Sequence, residues 1–392
     1  MPSIEAPGRV TEFARSRLVH RVAAATLGAA LILAPAQGLE AQARNAASDA
    51  SPATSPAASD ASSDGSNAPA HLTSDLATTP AANPTEEPIT DPTEEITISG
   101  EHPGPGLWRV TYRTHVLWIF GSINPAPKNM TWHSSQVESI VASSKAVFTG
   151  ESVSPNIGFF RGLTLLPSVL RLRFNPDKAV LKDLIAPEVY ERWRPLRKRY
   201  FKDDADIEKV RPMFIAMMLY EKAIERAGLT RDDGLYGPIF KTAKAHDVPV
   251  KEIQIRFDID NPRQKLRDYA STPRDRDVDC LVAAIDHLDG DVAIMQKRAN
   301  AWATGDIEAL RALPVPVQES ACTNALTSAP ALQDELGSLK DQIFRKWLDT
   351  TEIALAKNDV SFMMLPIGML LNPDGRLAKL RERGYEVEGP TN

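Results

Sequence analysis

Downstream of about residue 100, the chain alternates short β-rich runs with stretches of helical period. GLWRVTYRTHVLWIFGS (106–122) holds two such runs, 107–112 and 116–121, and the polar pair Thr114-His115 between them predicts a hairpin. Val137, Ile140 and Val141 recur at helical spacing from Ser134 to Lys145, with Ser134 placed to cap the helix. AVFTGES (146–152) then predicts a short buried strand. From roughly 160 to 230 the pattern is helical, and its last helix opens near Pro212 and stops near Gly228. The helix YGPIFKTAKAHD (236–247) leads into the strand VPVKEIQI (248–255).

Helical spacing resumes over 276–313 with a break at Thr304-Gly305-Asp306, where glycine can take the left-handed end of one helix and Asp306 can cap the next. A long helix over about 331–357 runs into the strand VSFMMLPI (360–367). A turn at Asn372-Pro373-Asp374-Gly375 and the short helix GRLAKLRERG (375–384) follow. Strands interleaved with helices predict an α/β (α+β) domain, a mixed central sheet flanked by helices with a large helical insertion. No fixed-period repeat is visible.

This pattern is absent from the first hundred residues, so although 392 residues could hold two or three domains by length, roughly one large core is expected. Arg9, Arg15, Arg17 and Arg21 precede the apolar run VAAATLGAALILA (22–34), and the small-x-small triplet Ala41-Gln42-Ala43 follows it. These are the three parts of a secretory signal. As a helix the apolar run spans about 20 Å, short of the roughly 30 Å of a hydrocarbon core, so cleavage is expected and a retained anchor is the alternative. Residues 44–100 are Ala, Ser, Thr, Pro, Asp and Glu with almost no large apolar side chain, a composition that cannot offset its ordering entropy. The expected organisation is a signal peptide (1–43), a disordered linker (44–100) and one folded domain (101–392). The mature protein is expected in the periplasm or secreted, with no integral membrane span after cleavage.

A net charge of −6 gives no overall drive toward nucleic acid or an anionic membrane, and no nucleic acid is expected as a partner. The basic-aromatic stretch RWRPLRKRYFK (192–202) fits a solvated helix face better than a phosphate track. DRDVDC (275–280) begins like a calcium loop but has Cys280 where the loop needs glycine, so its acids read as the start of a helix. Cys280 and Cys322 are the only cysteines, and in an exported chain the pair predicts a disulfide, with two buried thiols as the alternative. His115, His133, His246 and His287 are scattered, with no HExxH, no serine elbow and no Gly-rich phosphate loop.

The order of elements resembles the TraB/PrgY/GumN family, whose eukaryotic relatives are the Tiki proteins, over about Gly106–Pro390. That family opens with an LW-x-V strand and a strand ending in Gly-x-x-His, followed by Pro-Lys and a Trp. Here LWRV, then GSIN (121–124), Pro127-Lys128 and Trp132 stand in those places. The family closes with a second Gly-x-x-His, Pro-Asp-Gly and a leucine-rich helix ending in Arg-x-x-Gly-Tyr. FMMLPIGMLLNPDGRLAKLRERGYEVEGP matches that segment without a gap.

The resemblance places a cleft where strand ends from both halves meet, at 121–125, 150–152, 254 and 366–370. Its family-equivalent positions are Gly121, Asn124, Glu151, Gln254 and Met369. Asn124 and Met369 stand for the two family histidines, and Pro366 for the second motif's glycine. Gln254 stands for one family glutamate; the other falls on Gly150, or on Glu151 with a one-residue slip. Intact members imply a divalent metal, but Asn, Gln and Met are poor ligands for one, so no metal or other cofactor is expected here. The expected role is binding or regulation in the envelope, with a protein or peptide partner. The alternative is a metal-dependent, peptidase-like hydrolase with an altered ligand set that draws on His115 or His133.

Overall fold

The computed structural model describes residues 101–271, 275–314, 316–317, 321–322 and 330–390. The signal-peptide and linker expectations, 1–43 and 44–100, lie outside the described residues. In chain order the elements are β1 (Leu107–Tyr112), β2 (His115–Ser122), α1 (Ser135–Ser143), β3 (Val147–Pro155), α2 (Phe159–Leu172), α3 (Pro187–Phe201), α4 (Pro212–Arg226) and α5 (Gly237–Ala245). There follow β4 (Val250–Phe257), α6 (Pro262–Ser271), α7 (Asp275–Thr304), α8 (Ile307–Ala312), α9 (Pro330–Lys357), β5 (Val360–Pro366), α10 (Ile367–Leu371), α11 (Arg376–Glu382) and β6 (Glu386–Glu388).

One six-stranded mixed sheet carries the fold, in the order β6-β1-β2-β5-β3-β4. The hairpin β1–β2 is antiparallel and its turn places Arg113 at φ 56°. β2, β5, β3 and β4 run parallel, so their C-terminal ends share one edge of the sheet. β5 is the last of the parallel strands to enter, between β2 and β3, which is possible because the β2–α1–β3 crossover leaves a gap one strand wide. β3 and β5 pair only at Val147↔Phe362 and Phe148↔Met363 and then separate. That split falls at the strand ends, the position where α/β sheets bind ligands.

Two apolar cores follow from this layout. The first packs β1, β2, β5 and α9 around Phe120, Trp108, Phe362 and Trp347. The second belongs to the helical insertion and gathers Trp193, Met213, Leu219 and Leu281. Helix α7 connects them: Leu281 to Ala299 line the second core, while Trp302 enters the first and donates its indole N–H to the carbonyl of Gly121 at 2.7 Å. Gly305 (φ 73°) ends α7, and the Asp306 carboxylate accepts from the Ala309 N–H at 2.9 Å to cap α8.

Cys280 and Cys322 form a disulfide inside the second core. The DRDVDC acids open α7, and Asp277 is buried in an ion pair with Arg211 at 2.7 Å, which accounts for a charged residue at that depth. In α3 the basic-aromatic stretch divides by face: Trp193 and Phe201 are buried, while Arg192 and Arg194 pair at the surface with Asp286 and Glu191.

Two local expectations are corrected. The strand expected over 360–367 stops at Pro366, and Ile367–Leu371 winds into a short helix; Pro366 stands at its N-cap, where a missing N–H does no harm. The chain after Gly384 also returns to the sheet as β6, pairing Val387 with Val110. Among the described residues no helix is long and apolar enough to cross a membrane.

Candidate strand-end site

Glu151 lies on β3 just past a bulge. Pairing between β3 and β4 shifts between Thr149 and Glu151, leaving Gly150, at φ 32°, as the extra residue. The shift turns Glu151 inward, opposite the buried Ile253, and its side chain is 1% exposed. A buried carboxylate needs a partner, and Arg376, itself 5% exposed, supplies one. Arg376 donates from Nε to Oε1 at 2.6 Å and from Nη2 to Oε2, a bidentate pair.

The guanidinium is held from the side of α9 as well. Its carbon stands 5.2 Å from the ring centroids of both Phe344 and Trp347, so the cation is stacked on aromatic faces while its donors meet the carboxylate. The Pro-Asp-Gly turn sets this position. A Cβ on Gly375 would stand 2.8 Å from Asn372 Cβ and 3.0 Å from the Met369 carbonyl oxygen, so only glycine lets α11 start close to α10. Arg376, Leu377 and Leu380 then form the buried face of α11.

Asn124 is exposed and reaches a different partner. Its Oδ1 accepts from Arg231 Nη1 at 3.1 Å, and Arg231 in turn pairs with Glu221 at 2.5 Å on the helical insertion. The peptide bond from Asn124 to Pro125 is cis. The residue before it is fixed by Tyr236, whose hydroxyl donates to the Ile123 carbonyl and accepts from the Ile123 N–H, both at 2.8 Å. Burial pushes the Tyr236 phenol above its ordinary range, partly opposed by that backbone bond.

Gln254 lies on the opposite face of the sheet from Glu151. Side chains alternate along a strand, and Gln254 pairs with Ser152, one residue beyond the Glu151↔Ile253 register. Its neighbours confirm the face: Arg256 donates to Gln254 at 2.9 Å, and Ser152 donates to Glu252 at 2.7 Å. Met369 is buried within α10 and Gly121 beside it, where a Cβ on Gly121 would meet Ile367 Cδ1 at 2.3 Å. His115 begins β2, at the opposite end of that strand from Asn124, roughly 30 Å away at strand rise.

The structure therefore links Gly121, Met369 and Glu151 through α10 and α11, and sends Asn124 and Gln254 elsewhere. A divalent ion needs several anionic or imidazole donors converging on one point. Here one carboxylate has both oxygens taken by a guanidinium, Asn124 and Gln254 offer neutral amides facing apart, and Met369 is a buried thioether. Among the described residues no group of three or more His, Cys, Asp and Glu is placed to hold a metal ion. This donor set does not fit a divalent metal.

Arg376 is the residue that sequence reasoning missed. In GRLAKLRERG it is one cation among several, yet its spacing to Leu377 and Leu380 puts it on the apolar side of the helix.

Residues 106–389 match the model of the TraB/PrgY/gumN family. Among curated proteins and among solved structures nothing matches. The match spans most of the 392 residues, from the opening strand of the sheet to its closing one, and the chain belongs to the TraB/PrgY/gumN family.

Proposed function

We propose that this chain is a TraB/PrgY/gumN protein in which an internal ion pair has replaced metal chemistry, and that it acts as an exported binding or regulatory protein of the cell envelope. The observation that carries this reading is the closed bidentate contact of Arg376 with Glu151. The bulge at Gly150 favours Glu151 as the family glutamate, because one extra residue is the slip that the motif alignment needs. On that assignment the one carboxylate among the family-equivalent positions, Glu151, is neutralised by a cation from the chain itself. Fold membership does not carry catalysis, and these donors do not rebuild it.

Export is supported by the signal-like N-terminal segment and by the Cys280–Cys322 disulfide, a bond that persists in oxidising compartments. The Ala/Ser/Pro/Asp-rich stretch over 44–100 would give the domain reach toward an envelope protein or peptide. The test is a peptide-hydrolysis screen of the purified protein in zinc, manganese or calcium, beside Glu151→Gln. Equal background from both proteins is expected. Turnover by the wild type that Glu151→Gln abolishes would restore the hydrolase reading.

A further inference from the structure

Helix α2 wears its apolar residues on the outside. Phe160 (81% exposed), Leu163 (58%), Leu170 (51%) and, just past the helix, Phe174 (50%) fall with the exposed Pro167 at alternating three- and four-residue spacing. That spacing makes one continuous stripe, while Leu165 and Leu172 are buried on the other side. Single exposed apolar residues are ordinary, but a stripe along a whole helix marks a surface that something covers.

Charge indicates what covers it. No Asp or Glu occurs from Ser152 to Pro176, whereas Arg161, Arg171 and Arg173 do. Helical geometry places Arg171 and Arg173 on either flank of the stripe, about 100° per residue around the axis. Between the stripe and the buried side of α2, Thr164, Arg161 and the buried Leu165 line a cavity of about 550 Å³ shared with α6, whose Arg263 and Arg267 complete a cluster of three guanidinium groups with no carboxylate in its lining. Such a cluster suits phosphate oxygens.

A second copy of the helix would bring arginines against arginines with no acid to pair them, and Pro167 interrupts the regular surface that helix pairing uses. An anionic bilayer satisfies both features at once. The stripe enters the headgroup boundary, the flanking arginines meet lipid phosphates, and the aromatic residues sit at both ends of a helix about 21 Å long lying in the interface plane.

We propose that α2 and the adjoining arginine cavity form a docking face for an anionic phospholipid membrane, bound peripherally. The test uses the full chain with Leu163→Cys carrying an environment-sensitive fluorophore; the native cysteines are paired, so the added thiol takes the label. A label at Thr114→Cys, on the hairpin turn at the opposite end of the sheet, serves as the control. Vesicles containing phosphatidylglycerol should blue-shift the label at 163 and leave that at 114 unmoved, and added salt should weaken the shift. Arg171→Gln with Arg173→Gln should weaken vesicle affinity roughly 25-fold, at about fivefold for each arginine near an anionic surface. No shift at 163, or an equal shift with neutral phosphatidylcholine vesicles, overturns the proposal. So does a shift that grows with protein concentration without lipid, which would assign the face to a second copy.

Discussion

Arg376 and Glu151 are 225 residues apart in sequence and meet as a buried bidentate pair, Nε to Oε1 at 2.6 Å, beneath Phe344 and Trp347. The contact ties the last helix of the domain to the strand that precedes the helical insertion. Removing the arginine alone leaves a carboxylate without water or partner. Arg376→Leu should therefore lower stability by about 3–5 kcal/mol. The double change Glu151→Leu with Arg376→Leu should recover most of that loss, since an apolar pair of similar size is often neutral or better. Urea denaturation of the three variants checks both statements, and a double variant as unstable as Arg376→Leu would contradict them.

Tyr236 satisfies both backbone groups of Ile123, the residue before Asn124. Tyr236→Phe keeps the ring and orphans a buried N–H and carbonyl, so a cost of about 1–3 kcal/mol is expected. Hydrogen exchange of the Ile123 amide should quicken more than exchange in β1. Unchanged protection at Ile123 would count against this role.

Tyr269 packs under the Arg211 guanidinium, 5.1 Å from its ring centroid, and burial pushes its phenol up to about 12. A tyrosine whose folded pKa exceeds its ordinary value of about 10 contributes stability fully below pH 10 and loses it as pH rises toward 12. Tyr269→Phe should make thermal stability less steep across that window, as calorimetry at closely spaced pH values would record.

The disulfide closes 42 residues of separation within the insertion core. On the chain-entropy model, replacing both cysteines by alanine should cost about 4 kcal/mol. Chemical denaturation of the double variant checks this, with the loss expected first at Trp193 of the second core.

The hairpin, the parallel strands, the long helices and the insertion were legible in the sequence because each carries its own periodicity. Cys280 and Cys322 were legible as a pair because no other thiol competes. Ile367–Leu371 was not: five apolar residues after a strand have no period by which to tell helix from strand. The site was legible in its positions and not in its contacts. Glu151 and Gln254 stand on opposite faces because of register and one bulged glycine, features that exist only once β3 and β4 pair. Asn124 bonds to Arg231 and Glu151 to Arg376, and neither partner is close in sequence.

The most direct test of the internal ion pair as a replacement for metal is the metal content of the purified protein. It should be measured by mass spectrometry after exposure to zinc, manganese and calcium and extensive dialysis, with the disulfide intact. A well-folded protein that retains no ion at a stoichiometric level is the predicted result. One tightly held ion per chain, lost in Glu151→Gln, would contradict the account.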